Sequence, residues 1–176
     1  MILKGFKGKS NKKYLNKLLS QREISVENNK IESLGVILNI DEVDDFELFR
    51  SLANQIKVHP NKLKIIAFSA DKKEKISSWD LCFNPKDFGW NGTIKNIELQ
   101  SFLDTKFDAL ISYYTEEHLE LKLLTGTSKA QFKIGILQSD ARLNDLIIKT
   151  NLKEFDVFKA ELHKYLNILN KIKNEQ

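Results

Sequence analysis

Three histidines, one cysteine and one compact acidic run are the residues of this 176-residue chain whose types can do chemistry. His59, His118 and His163 are far apart and Cys82 is alone, so the close His or Cys spacing of a metal site is absent and no disulfide can close within the chain. His118 beside Glu116 and Glu117 follows a strand-like segment, where an acid-base group can face a ligand; its plainer reading is a surface helix residue. Cys82 stands among apolar neighbours and reads as a small core residue. The run Asp41, Glu42, Asp44, Asp45, Glu47 also follows an apolar segment, a position where a Mg²⁺-binding carboxylate pair sits in phosphoryl-transfer folds. Carboxylates in a helix's first turn offset its dipole, each by about 0.3–1 kcal/mol, which accounts for the run without a metal. Gly126-Thr127-Ser128-Lys129 comes nearest to an anion cradle, and is equally a helix-ending glycine with its turn. The patterns GxGxxG, GxxxxGK[ST] and GxSxG do not occur. Trp79, Phe88 and Trp90 flank a turn-rich region and suit either a binding platform or the cap of an open sheet end. No catalytic residue, cofactor site or metal site is assigned.

Charge is more informative. Residues 1–22 hold Lys4, Lys7, Lys9, Lys12, Lys13, Lys17 and Arg22 and no acid, whereas the rest of the chain has 21 basic against 24 acidic side chains, a balance of −3. From Asn11 to Ser20, Tyr14, Leu15, Leu18 and Leu19 share one helical face and lysines occupy the remainder, a short basic amphipathic helix. Three uses compete: the apolar face packs on the domain and the lysines are solvated; the lysines engage nucleic-acid phosphates; or the face, aided by Ile2, Leu3 and Phe6, rests on an anionic membrane. Sequence-specific readout has no supporting motif. The leader lacks the apolar core and cleavage site of a secretory signal, and no run approaches the roughly 18 apolar residues of a membrane span. A cytoplasmic location is expected, in keeping with the lone thiol.

The remainder alternates strands and helices. Leu34 to Ile40 (LGVILNI) has the look of a strand buried on both faces. A helix is expected from the acidic run at Asp41–Asp45 through Phe46, Phe49, Leu52 and Ile56 to the stop at Pro60. Further strands are expected at Leu63–Phe68, Asp80–Phe83, Phe107–Tyr113, Phe132–Leu137 and Asp145–Lys149. Helices are expected near Glu98–Leu103, Glu116–Thr125 and Phe155–Lys173. A polar, Lys-rich stretch fills Ser69–Ser78 and turns fill the segment to Thr93. Such alternation predicts an α/β, three-layer, Rossmann-like fold: a mostly parallel sheet flanked by helices, with an N-terminal basic amphipathic helix. The expected organisation is a basic leader over 1–32 and one domain over 33–176. Ligands of such sheets collect beyond the strand carboxyl ends, which makes Asn39, Asp41, Ser69, Ser112 and Thr115 the ligand-edge candidates.

The segment FDALISYYTEEHLELKLLTGTSKAQFKIGI, Phe107 to Ile136, has an Asp at the second position of an apolar strand, then a helix, a small-residue turn, and a basic residue two before Ile-Gly. It resembles the late part of the N-terminal half of heptosyltransferase-type glycosyltransferases, which implies a Rossmann-like half-domain and a sugar or nucleotide ligand. The glycine turn that follows the first strand in those enzymes is replaced here by Asp41-Glu42-Val43-Asp44-Asp45, and their donor-binding half has no counterpart in these residues. The pattern SKAQFKIG with ILNIDEVDDFELF is also similar to an uncharacterised family of small single-domain bacterial α/β proteins, which implies no catalytic residues. The expectation is therefore a non-catalytic binding or scaffold domain whose partner-binding residues are Lys4, Lys7, Lys9, Lys12, Lys13, Lys17 and Arg22. The alternative is a degenerate glycosyltransferase-like half-domain.

Overall fold

The computed structural model describes residues 2–25, 27–70 and 81–173. Six strands, β1 (Leu34–Asn39), β2 (Leu63–Phe68), β3 (Leu81–Phe83), β4 (Ala109–Tyr113), β5 (Phe132–Ile136) and β6 (Leu146–Ile148), form one sheet in the order 3-2-1-4-5-6. Every pair is parallel. Five helices accompany them: α1 (Ile2–Ser20), α2 (Glu47–Gln55), α3 (Ile97–Asp104), α4 (Leu119–Thr127) and α5 (Phe155–Ile168). This is the expected three-layer α/β Rossmann-like architecture. The order reverses between β1 and β4, so the crevice at their carboxyl ends is the topological switch point where such sheets receive ligands.

The strand pleat sorts side chains into two cores. On one face Leu34, Val36 and Leu38 of β1 join Ala109, Ile111 and Tyr113 of β4 beneath α2 and α5. Phe49, Tyr113, Phe155 and Phe158 pack there edge to face, with ring centroids 4.9–5.2 Å apart for Phe49–Tyr113, Phe49–Phe155 and Tyr113–Phe158; each such pair contributes about 0.5–1.5 kcal/mol beyond area burial. On the other face Ile37, Ile66, Phe68, Leu110 and Tyr114 meet α3, α4 and Leu15 and Leu19 of α1. β1 is buried at all six positions, as a central parallel strand must be.

Several boundaries move. α1 runs from Ile2, nine residues ahead of the expected Asn11. α2 begins at Glu47, the last acid of the run, and not within Asp41–Asp45, because Asp41 and Glu42 turn sideways to neighbouring strand ends instead of capping a helix. α5 ends at Ile168; Leu169 is exposed and Ile172 is buried beyond the helix. Trp79 and most of the Lys-rich stretch, with Asp80 of the expected third strand, lie outside the described residues.

Candidate functional site

At the switch point the chain supplies its own anion. The Glu42 carboxylate accepts hydrogen bonds from Thr115 N (3.0 Å), Glu116 N (3.0 Å), the Thr115 hydroxyl and Asn39 Nδ2 (3.1 Å). Backbone N–H groups beyond a strand end are the donors a bound phosphate would use; here a side chain two residues beyond Ile40 takes them. Asp41 does the same at β2, accepting from Ser69 Oγ (3.1 Å) and Ala70 N (3.0 Å). Glu117 repeats the arrangement beyond β5, accepting from Ser139 N (3.1 Å) and from the Ser139 hydroxyl (2.5 Å). Three carboxylates thus tie together the carboxyl edge of the sheet.

The ligand-edge candidates are consumed by this lacing or lie beneath it. Asn39 and Ser112 are completely buried. Ser112 Oγ is 2.8 Å from Thr125 Oγ1, which is in turn 2.9 Å from Tyr114 OH, so Ser112 belongs to a buried polar relay inside the second core. Burial pushes the Tyr114 hydroxyl's pKa upward, keeping it a neutral donor and acceptor. Gln138 seals the same end, donating through Nε2 to Ser112 O (3.1 Å) and Tyr114 O (3.0 Å). Thr115 borders a shallow cavity of about 500 Å³ shared with Leu137 and residues 151–154. A cavity of about 730 Å³ lies away from this edge, beside the N-terminal half of β2, between α2 and α3. Ala53, Val58, Leu63, Ile65 and Phe102 line it. Those walls are mainly apolar, and Arg50, Lys64 and Glu98 also line them.

The other chemical candidates settle in the same way. Among the described residues no group of three or more His, Cys, Asp or Glu side chains gathers to hold a metal ion. Burial first, then the charges of Asp41 and Asp87, push the Cys82 thiol up to about 11, the opposite of an activated nucleophile. His118 precedes α4 and contacts Glu116 at 3.3 Å and the Phe68 ring at a centroid distance of 5.8 Å. Gly126-Thr127-Ser128 closes α4, and its carbonyls receive a cation: Lys133 Nζ donates to Thr125 O (2.7 Å) and Gly126 O (3.2 Å). Desolvation, reinforced by Arg22, lowers Lys133 to about 8. Asp108, the second-position Asp of the glycosyltransferase-like segment, sits at the amino end of the sheet and accepts from Ser33 N (2.8 Å), Ser33 Oγ (2.8 Å) and Glu32 N (3.0 Å). It joins β4 to the entry of β1 and is remote from the ligand edge. Phe88 is buried while Trp90 is exposed.

α1 divides the seven basic residues into two groups. Its inner stripe, Asn11, Leu15 and Leu19, is buried. Leu15 passes so close to α4 that a Cβ on Gly126 would lie 2.7 Å from Leu15 Cδ1, and Tyr14 so covers Gly92 (φ +71°) that a Cβ there would lie 2.2 Å from the ring. Asn11 donates to Gly89 O (3.0 Å) and accepts from Gly92 N (2.9 Å). Lys7 donates to Phe88 O (2.7 Å), and Arg22 pairs with Asp145 (2.6 Å) and reaches Arg142 O (2.9 Å). These two cations fasten the helix to the domain. Lys4, Lys9, Lys12, Lys13 and Lys17 are exposed and form no ion pair with a described residue. The Tyr14, Leu15, Leu18, Leu19 face expected as one possible membrane contact is therefore the face that packs inward.

Glu42 as the occupant of the switch point and Lys133 as the cap of α4 were not legible in the sequence. Glu42 is one of five acids in seven residues, and nothing in their order marks which one turns back to the sheet. Among the described residues no helix is long and apolar enough to cross a membrane. No curated protein and no solved structure matches the chain, so the likeness to heptosyltransferase-type enzymes rests on the residue pattern alone. A family model does match, over residues 7–169, from the fastening lysine of α1 to the end of α5. The chain belongs to that family, described as a family of unknown function, DUF6913.

Proposed function

We propose that the chain is a non-catalytic binding or scaffold domain whose working surface is the outward side of α1, and that its partner is anionic. One observation carries the reading: of seven cations in a segment without acids, Lys7 and Arg22 are spent on holding the helix down, while Lys4, Lys9, Lys12, Lys13 and Lys17 face solvent without a counter-ion among the described residues. Unpaired cations on a rigid helix raise the local potential and attract opposite charge, because the helix is already ordered and little entropy is lost on binding. The carboxylates at the switch point support the same reading from the other side, since a phosphate-bearing ligand would have to displace Glu42 from four donors.

The test separates position from net charge. Lys4, Lys9, Lys12, Lys13 and Lys17 are changed together to Gln, and a charge-matched control changes Lys57, Lys62, Lys95, Lys149 and Lys153, all exposed. Binding to a soluble polyanion such as heparin is measured against salt concentration. The α1 variant is expected to lose most of its affinity and most of its salt slope, with the control close to the parent. Equal losses in both variants would reduce the effect to net charge and overturn the reading.

A further inference from the structure

The outward side of α1 is more than a row of cations. Ile2, Phe6, Lys9, Lys13 and Lys17 follow at spacings of four, three, four and four, which puts them on one stripe of a helix. The stripe runs about 22 Å at 1.5 Å per residue. Its first turns are apolar and open to solvent: Ile2 is 78% exposed, Leu3 73% and Phe6 55%. Its later turns are basic, and Lys9 Nζ lies 5.8 Å from the centroid of the Phe6 ring, where the two halves meet. The opposite stripe is occupied by the domain, so the outward stripe is displayed as a fixed surface.

We propose that this stripe lays α1 on an anionic lipid bilayer, with Ile2, Leu3 and Phe6 entering the boundary between headgroups and acyl chains and Lys9, Lys13 and Lys17 lying at the lipid phosphates. The proposal rests on the reading of this face as an anionic contact and names its partner. Charge alone suits nucleic acid equally, and the three apolar side chains decide between them. A phosphate backbone leaves them in water, whereas the acyl boundary removes their apolar area from it. Apolar anchors together with cations supply the two signals that reversible surface binding needs.

The experiment is co-sedimentation of the full chain with phosphatidylcholine vesicles, with and without phosphatidylserine as a third of the lipid, beside binding to polyuridylate. Two triple variants are compared with the parent: Ile2→Ser with Leu3→Ser and Phe6→Ser, and Lys9→Gln with Lys13→Gln and Lys17→Gln. All six side chains are exposed, so the fold is expected to survive, and circular dichroism checks it. The parent is expected to bind the anionic vesicles and to ignore the neutral ones. The lysine triple is expected to lose about a hundredfold, from about 1 kcal/mol per lysine near such a surface, and the apolar triple at least about tenfold. If the apolar triple binds vesicles as the parent does, or if polyuridylate is bound tightly and vesicles are not, the lipid assignment is overturned while the anionic contact stands. If the parent binds neither, both fall.

Discussion

Lys133 shows how a single buried group writes itself into the stability of the whole chain. Its ammonium closes α4 by donating to two carbonyls at the helix end, a place where the dipole favours a cation, yet burial lowers its pKa to about 8 from the usual 10.5. Between those values the unfolded chain holds a proton that the folded chain has released, so stability is expected to rise with pH as it passes through 8. Cys82 and Tyr113, raised to about 11 and about 12 by burial, act in the opposite sense, since their unfolded forms lose protons first. The Cys82 effect begins near pH 8, as the unfolded thiol starts to ionise toward its ordinary value of 9.0, which leaves the pH unit centred on 8 as the window where Lys133 acts the more strongly. Urea unfolding across that window is expected to show a rise of up to about 1 kcal/mol per pH unit in the parent and a flattened profile in Lys133→Met. An equal slope in both would assign the titration elsewhere.

At the scale of elements, α1 is the part whose role the sequence shows most incompletely. Its charge and its apolar face are both legible, because lysines without acids and a 3.6-residue period survive in one dimension. Which face turns inward is not: that depends on Gly126 and Gly92, more than 70 positions away, which leave room for Leu15 and Tyr14. Leu15 and Leu19 share one buried cluster with residues of α3 and α4 and of β1, β2 and β4, so α1 is part of the second core. Leu15→Ala is expected to cost about 2–5 kcal/mol by leaving a cavity, while Lys13→Ala changes stability by less than about 0.5 kcal/mol. Denaturant unfolding followed by circular dichroism and by Trp fluorescence checks this. A low-denaturant step confined to helix content would mean that α1 detaches before the core melts. The strands were legible for a simpler reason, since a run such as Leu34–Asn39, buried on both faces, has to be apolar throughout. The site was less so. Asp41 and Glu42 look like helix-capping carboxylates until β2 and β4 place their free amides beside them.

For the whole molecule, strand order and charge together support the proposed working surface. An all-parallel 3-2-1-4-5-6 sheet directs attention to the crevice between β1 and β4, and Glu42 fills that crevice with the chain's own negative charge. The exposed lysines of α1, in a segment without acids, lie on the outward side of the helix whose inner stripe enters the second core. Lysine footprinting across the full chain, with and without saturating phosphatidylserine-containing vesicles, tests this division most directly. The account predicts that Lys4, Lys9, Lys12, Lys13 and Lys17 lose reactivity toward an acylating reagent while Lys57, Lys62, Lys95, Lys149 and Lys153 keep theirs. Protection centred on Lys153, next to Thr115 at the strand carboxyl ends, with α1 unchanged, would contradict it.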